Sequence, residues 1–257
     1  MNCIALDFDG VLCDSAAETG ESAWRAGASV YPEWGERTVP RSYIEEFRRV
    51  RPVLETGFEA IPLMRLVSEG VPRERILRDF PKLRDRVIAE SGVSRSRLVE
   101  LFGSARDRWI AGDPEGWLAR HEFYPGVIER VRARLGNDEV YILTTKQERF
   151  VRRLLEPVCP EFPDERIFGL DAGVCKEDLL ARLASEHPDA DGGLHFVEDR
   201  LDTLERVMRR PELAGVHLYL ASWGYAREED VERARGLERV TVWELSNFLE
   251  LQVVISE

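Results

Sequence analysis

The stretch ALDFDGVLCDS, residues 5–15, opens on an apolar run and then places two aspartates two residues apart, Asp7 and Asp9, with Gly10 directly after them. By composition, residues 3–8 read as the first strand of a sheet. Two carboxylates this close repel each other, and each loses hydration if the strand before them is buried. A pair set at the end of a first strand therefore needs a purpose that offsets its cost.

Working outward, the pattern is regular from about residue 122. Val127, Val131 and Leu135 make one helical stripe, with Gly136 as the expected C-cap. EVYIL (139–143) reads as a buried strand, followed by a helix that turns Phe150, Val151, Leu154 and Leu155 inward and ends at Pro157. RIFGL, the helix KEDLLARLASEH, the strand LHFV, the helix LDTLERVMRR and the strands VHLYLA and VTVW continue the alternation. Strands alternating with helices predict an α/β fold with a doubly wound, Rossmann-like parallel sheet covered on both faces. Residues 15–120 differ. They offer no strand pair, but two sequences of capping-box form, Ser15 to Glu18 and Ser42 to Glu45. Amphipathic stretches there are interrupted at Pro52, Pro62, Gly70 to Pro72 and Gly92. The expected organisation is a core of residues 1–14 and 121–257 with a helical domain, 15–120, inserted after the first strand.

Composition narrows the function classes. The 257 residues are 44% hydrophobic and 33% charged, ordinary for a globular enzyme, and the net charge of −12 argues against binding nucleic acid through its phosphates. Neither a signal peptide nor a membrane-spanning apolar run is read from the sequence. Cys3, Cys13, Cys159 and Cys175 lack metal-type spacing and read as reduced structural thiols, so a cytoplasmic protein is expected. The apolar tail LQVVI (251–255) suits an edge strand or a contact surface, and the oligomeric state is left open.

Ligands of parallel α/β sheets bind beyond the carboxyl ends of the strands. Those ends carry Asp7, Asp9 and Gly10; Thr144, Thr145 and Lys146; and Glu198, Asp199 and Arg200, while Lys176 opens the helix after RIFGL. Carboxylates, a hydroxyl and a lysine on one rim suit a hard divalent cation such as Mg²⁺ together with a phosphate. Lysine is scarce here. The chain has 33 arginines and only three lysines, Lys82, Lys146 and Lys176, and two of the three fall on this rim.

DFDGVLCDS, YILTTK, Lys176 and HFVEDRLDT, in that order, resemble the four motifs of the haloacid dehalogenase superfamily of phosphotransferases. FYPGV (123–127) and YLASWGY (219–225) extend the resemblance across the core, and residues 15–120 match the helical cap in position and character. The resemblance implies that Asp7 is the nucleophile forming an aspartyl-phosphate and Asp9 the acid and base. It implies that Thr144 binds the phosphoryl group and Lys176 offsets its charge. Asp7, the Asp9 carbonyl, Glu198 and Asp199 would complete the Mg²⁺ shell. Thr145 is the alternative to Thr144, which is preferred because the apolar run stops there. The sequence departs from many relatives at Thr203, where they carry a second aspartate; Glu198 stands where those relatives have glycine, as in the β-phosphoglucomutase-like branch, and Asp202 is read as starting or capping the next helix.

Gly10 and the cap arginines Arg49 and Arg51, with Arg48 beside them, are candidate substrate contacts, a solvated helix face being the plainer reading of the arginines. Cys13, Cys175 and His195 read as local packing. The expected activity is hydrolysis of a small phosphorylated metabolite by a Mg²⁺-dependent phosphatase. A phosphosugar mutase and a catalytically silent binding module are the alternatives.

Overall fold

The computed structural model describes residues 2–35, 38–187 and 192–250. Its strands are β1 (Cys3–Leu6), β2 (Cys13–Asp14), β3 (Glu122–Phe123), β4 (Glu139–Leu143), β5 (Ile167–Phe168), β6 (Leu194–Glu198), β7 (His217–Ala221) and β8 (Val240–Trp243). Six of them form one parallel sheet in the order β5-β4-β1-β6-β7-β8, and β2 and β3 form a separate two-stranded sheet.

The central strands are buried on both faces, which is why they read as unbroken apolar runs. Cys3, Ala5, Tyr141, Leu143, Leu194, Phe196, Leu218 and Leu220 share a core with Leu179, Leu180 and Leu183 of helix Lys176–Glu186 and with Leu201, Leu204 and Val207 of helix Leu201–Met208. Ile4, Leu6, Val140, Ile142 and Val197 alternate to the opposite face and are equally buried. Helix Val127–Leu135, whose Val127, Ile128 and Val131 are buried outside that core, packs against β4. The fold is a doubly wound α/β sheet, as expected. From β1 the chain winds first through β4 and β5, then returns to build β6, β7 and β8 on the other side. The winding reverses at β1, the place where such sheets leave a crevice for ligands.

By contacts the chain divides into two compact units, Met1–Asp14 with Phe123–Glu257, and Ser15–Glu122. The second is helical. Trp24, Trp34, Phe47, Phe58, Met64, Ile76 and Phe80 lie in its core, and Trp24 stacks on Trp34 at 4.6 Å between ring centres.

Several local expectations need correction. β1 stops at Leu6 rather than residue 8, so Asp7 begins the loop. Ser15 makes no side-chain cap to helix Ala16–Gly27, and Ser42 lies inside helix Arg41–Val50, which starts after Pro40. Glu18 is drawn inward instead. It is fully buried and accepts Arg106 through both oxygens at 2.7 and 2.6 Å, Ser22 at 2.5 Å and the Trp117 indole at 3.2 Å. Glu59 does act at a helix start, accepting the backbone N–H groups of Glu55 and Thr56. Pro62 does not interrupt helix Ala60–Ser68, because in the first turn its missing N–H has no partner to lose. Gly136 is the C-cap of its helix as expected, though in the right-handed region, and Gly126, at φ +79°, takes the left-handed conformation at the helix start. Asp202 lies within the first turn of its helix and pairs with Arg233, while Arg200 occupies the cap position. Cys3, Cys13 and Cys159 are buried, but Cys175 is exposed rather than packed. No helix among the described residues is long and apolar enough to cross a membrane. The tail LQVVI lies outside the described residues.

Two predictions concern these buried polar groups. Arg106→Leu is expected to lower stability by about 3–5 kcal/mol, because it leaves the Glu18 carboxylate without its counter-ion in the core. Urea unfolding would measure the loss. His195 is buried, with its ring 4.8 Å from that of His217 and its Nδ1 3.0 Å from the Tyr219 hydroxyl. Burial, helped by His217, pushes its imidazole down from 6.5 to about 4. A depressed histidine keeps its full contribution above the unfolded value and loses it as pH falls toward the folded one. Stability at pH 5 is therefore expected to be about 2 kcal/mol below that at pH 7.5 on account of this group, and His195→Gln should flatten the decline by that amount.

Candidate active site

The site grows from the carboxyl end of β1. Leu6 is paired with Ile142 on one side and Val197 on the other, and the Asp7 N–H donates to the Val197 carbonyl at 2.9 Å. Asp7 thus leaves the sheet beside the last residue of β6, Glu198, with Asp199 following. The carboxylates of Asp7, Glu198 and Asp199 offer oxygens within 4.8 Å of one another, and all three residues are buried. Lys176, first residue of its helix, reaches in from β5's side of the chain order, its Nζ 2.8 Å from Asp7 Oδ1 and 2.7 Å from Glu198 Oε2.

One ammonium among three carboxylates leaves surplus negative charge. Burial pushes the Asp7 carboxyl up to about 7; Lys176 pulls it back, and the charges of Glu198 and Asp9 raise it further. Burial by itself would lower Lys176, but Asp7 and Glu198 more than reverse this and hold the ammonium charged, above its ordinary value. A buried, oxygen-only, anionic donor set of this kind fits a hard divalent cation. Glu198 Oε1 also accepts the Arg200 N–H at 3.1 Å, which fixes the carboxylate's direction.

The Asp9 side chain is not part of that group. Its Oδ1 lies 3.1 Å from Lys146 Nζ. Thr144 is buried, and its Oγ1 accepts the Lys146 N–H at 3.1 Å, whereas Thr145 is exposed. That contrast favours Thr144 over Thr145 as the inward hydroxyl. Gly10, at φ +93°, has a second reason to lack a side chain, since a Cβ there would fall 1.9 Å from Asp199 Oδ2. In the helical unit, Arg49 is exposed and paired with Glu46 at 3.1 Å, Arg48 lies 3.9 Å from Glu122, and Arg51 donates to the Leu54 carbonyl at 3.4 Å. Thr203, at the departure noted above, is buried and accepts Arg206 at 3.2 Å.

The sequence marks the loop after β7, within YLASWGY, but assigns its residues no role. The Tyr225 N–H donates to Asp199 Oδ2 at 2.8 Å, the Tyr225 hydroxyl to Asp14 Oδ1 at 2.9 Å, and the Trp223 indole to the Val11 carbonyl at 3.0 Å. Gly224 lets this loop close on the first one: a Cβ there would meet the Gly10 carbonyl oxygen at 1.9 Å. The signal was present, since a Trp-Gly-Tyr run beyond a central strand lies on the same rim as the acids. No role for Lys146 had been read either, although its scarcity had marked it.

No protein-family model matches the sequence, and no curated protein matches it. Solved structures do resemble it. A candidate phosphoglycolate phosphatase from Haemophilus somnus superposes with a TM-score of 0.61 at 13% identity, covering 97% of this chain and 96% of its own. One from Lactobacillus delbrueckii subsp. bulgaricus gives 0.59 at 14% identity, with 94% of each chain covered. A haloacid dehalogenase-like family hydrolase from Streptococcus pneumoniae gives 0.58 at 14% identity over 99% of this chain and 98% of its own. The chain therefore has the haloacid dehalogenase-like fold over its length.

The close approach at Gly224 is testable. Gly224→Ala is expected to push the loop off Gly10 and remove the Tyr225 N–H from Asp199, weakening any divalent-cation binding at the acidic group about 10- to 100-fold in a calorimetric titration. Tyr225→Phe, which keeps the backbone donor, should cost less.

Proposed function

We propose that the protein is a Mg²⁺-dependent phosphatase that hydrolyses the phosphomonoester of a small metabolite through an aspartyl-phosphate. The observation that supports this most is the buried group of Asp7, Glu198 and Asp199 around Lys176, at the point where the sheet's winding reverses. The names of the structural neighbours, phosphoglycolate phosphatase and hydrolase, favour the same class. A net charge of −12 leaves nucleic acid a poor partner, and a small phosphorylated metabolite is the substrate class that suits the reading.

In this reading Asp7, the Asp9 carbonyl, Glu198 and Asp199 hold the Mg²⁺, which when bound offsets negative charge on the carboxylates and on the phosphoryl oxygens. Asp7 carries out the first displacement: one of its oxygens bonds to phosphorus as the ester P–O bond breaks. Asp9 gives its proton to the departing oxygen, so an alcohol leaves rather than an alkoxide. Asp9, now a carboxylate, takes a proton from water as the water oxygen bonds to phosphorus and the bond to Asp7 breaks. Inorganic phosphate leaves and Asp7 is regenerated. Thr144 donates its hydroxyl proton to a phosphoryl oxygen, and Lys176 keeps Asp7 positioned while balancing charge that grows on the phosphoryl group. A divalent ion beside Asp7 would favour the carboxylate, the form that attacks.

Asp7→Asn is expected to abolish phosphate release from a panel of sugar phosphates, phosphoglycolate and nucleotides, with an unchanged circular dichroism spectrum. Chelation should silence the wild-type protein, with Mg²⁺ restoring it and Ca²⁺, whose shell is larger and looser, doing so poorly. One phosphate released per alcohol identifies a hydrolase; phosphate returned to the sugar identifies a mutase. Appreciable turnover by the Asp7→Asn protein removes this mechanism.

A further inference from the structure

We propose that Lys146 is the positioning residue for Asp9: its ammonium holds the carboxyl group, protonated before the ester bond breaks and ionised after it, toward the reacting oxygen and apart from the cation-binding acids. The proposal rests on the phosphatase reading above and adds a residue to it.

Lys146 Nζ lies 3.1 Å from Asp9 Oδ1, with the lysine side chain 1% exposed and that of Asp9 14%. Burying an ammonium is costly unless an anion meets it, so a lysine this enclosed marks an interaction rather than a surface accident. Its backbone is fixed as well. The N–H donates to Thr144 Oγ1 at 3.1 Å, and the carbonyl accepts the Leu170 N–H at 3.0 Å. Gly169 permits that approach, because a Cβ there would fall 2.5 Å from the Lys146 carbonyl oxygen. The base of the side chain is thereby anchored to the hydroxyl proposed to bind the phosphoryl group.

The residue type is informative too. A chain with 33 arginines and three lysines makes most of its ion pairs with guanidinium groups, yet uses an ammonium here. An ammonium is a compact charge that leaves room beside the carboxylate, where a planar fork would cover it. Acids and ammoniums are thus paired off: Lys176 with Asp7 and Glu198, Lys146 with Asp9. A carboxylate two residues from Asp7 and without such a partner would be attracted to any cation held by Asp7, Glu198 and Asp199. It would then be lost to proton transfer.

The test compares kcat/KM for two aryl esters, phenyl phosphate and p-nitrophenyl phosphate, which reports the steps through phosphoryl transfer. Only the poorer leaving group, phenol, depends strongly on a proton from Asp9. Lys146→Met, which keeps the stem's volume, is expected to lower the value for phenyl phosphate at least about tenfold more than that for p-nitrophenyl phosphate. Lys146→Gln retains an uncharged N–H donor group and should fall between, and it carries the same comparison should the Met protein not fold. Calorimetric titration with Mg²⁺ should show affinity retained or increased in both variants, whereas a collapsed site would bind the ion less well. Equal losses for the two esters, or weakened Mg²⁺ binding in the folded variants, overturn the assignment of Lys146 while leaving the phosphatase reading in place. Failure of the wild-type protein to hydrolyse either ester removes that reading, and this inference with it.

Discussion

The Lys176 ammonium, held between Asp7 and Glu198, is the contact on which the rest of the site depends. Three buried carboxylates gathered from the ends of two adjacent strands stay ionised together only if positive charge is brought to them. The α/β winding brings it from far along the chain. β1 supplies Asp7, β6 supplies Glu198 and Asp199, and the helix between β5 and β6 begins with the lysine. No short segment could assemble that set. A single ammonium balances only part of it, which is why burial and neighbouring acids still push Asp7 up to about 7. The site is built with a charge deficit that a divalent ion would fill.

Close backbone approach is the second constraint. Gly10 and Gly224 face each other across the loops after β1 and β7, and a Cβ on either would strike Asp199 or the opposite backbone. Their absence of side chains lets the Tyr225 N–H and Asp199 come within 2.8 Å. The loop after β7 therefore orients an acid of the cluster without contributing a charge of its own.

How much of this was legible in the sequence follows from where each signal resides. Strands buried on both faces announce themselves as apolar runs, and EVYIL occupies the stretch read for it, 139–143, while the edge strand VTVW, 240–243, is legible from its β-branched and aromatic residues. Strand-end acids were visible because a charge directly after such a run has no packing reason to be there. Helix starts in the inserted unit were misread, since Ser15 and Glu18 have capping-box form locally. Glu18 is claimed by Arg106, 88 residues away, and no local pattern records that. Pro62 was read as a break by its type, although its position in the first turn makes it harmless. The partners of Lys146 and Tyr225 are hidden for a related reason: each contact is made to a residue supplied by another loop, Asp9 and Asp199.

The opening pair of aspartates illustrates how one short motif comes to hold two chemically different groups. Asp7 and Asp9 have the same side chain and stand two residues apart, yet the fold gives them different surroundings. Asp7 continues directly from β1 and faces the acids at the end of β6, so its partners are Lys176 and, in the proposed enzyme, a metal ion. Asp9 lies past the point where β1 ends, half-buried, and turns to Lys146 at the end of β4. Environments that separate two like carboxylates are what acid–base and nucleophilic roles require, because a nucleophile must stay ionised while an acid must gain and lose a proton. Separation here comes from topology: β1 lies between β4 and β6, and each neighbour presents a different residue to it. Had β1 been an edge strand, one of those two neighbours would be missing and the two aspartates would compete for the same partner.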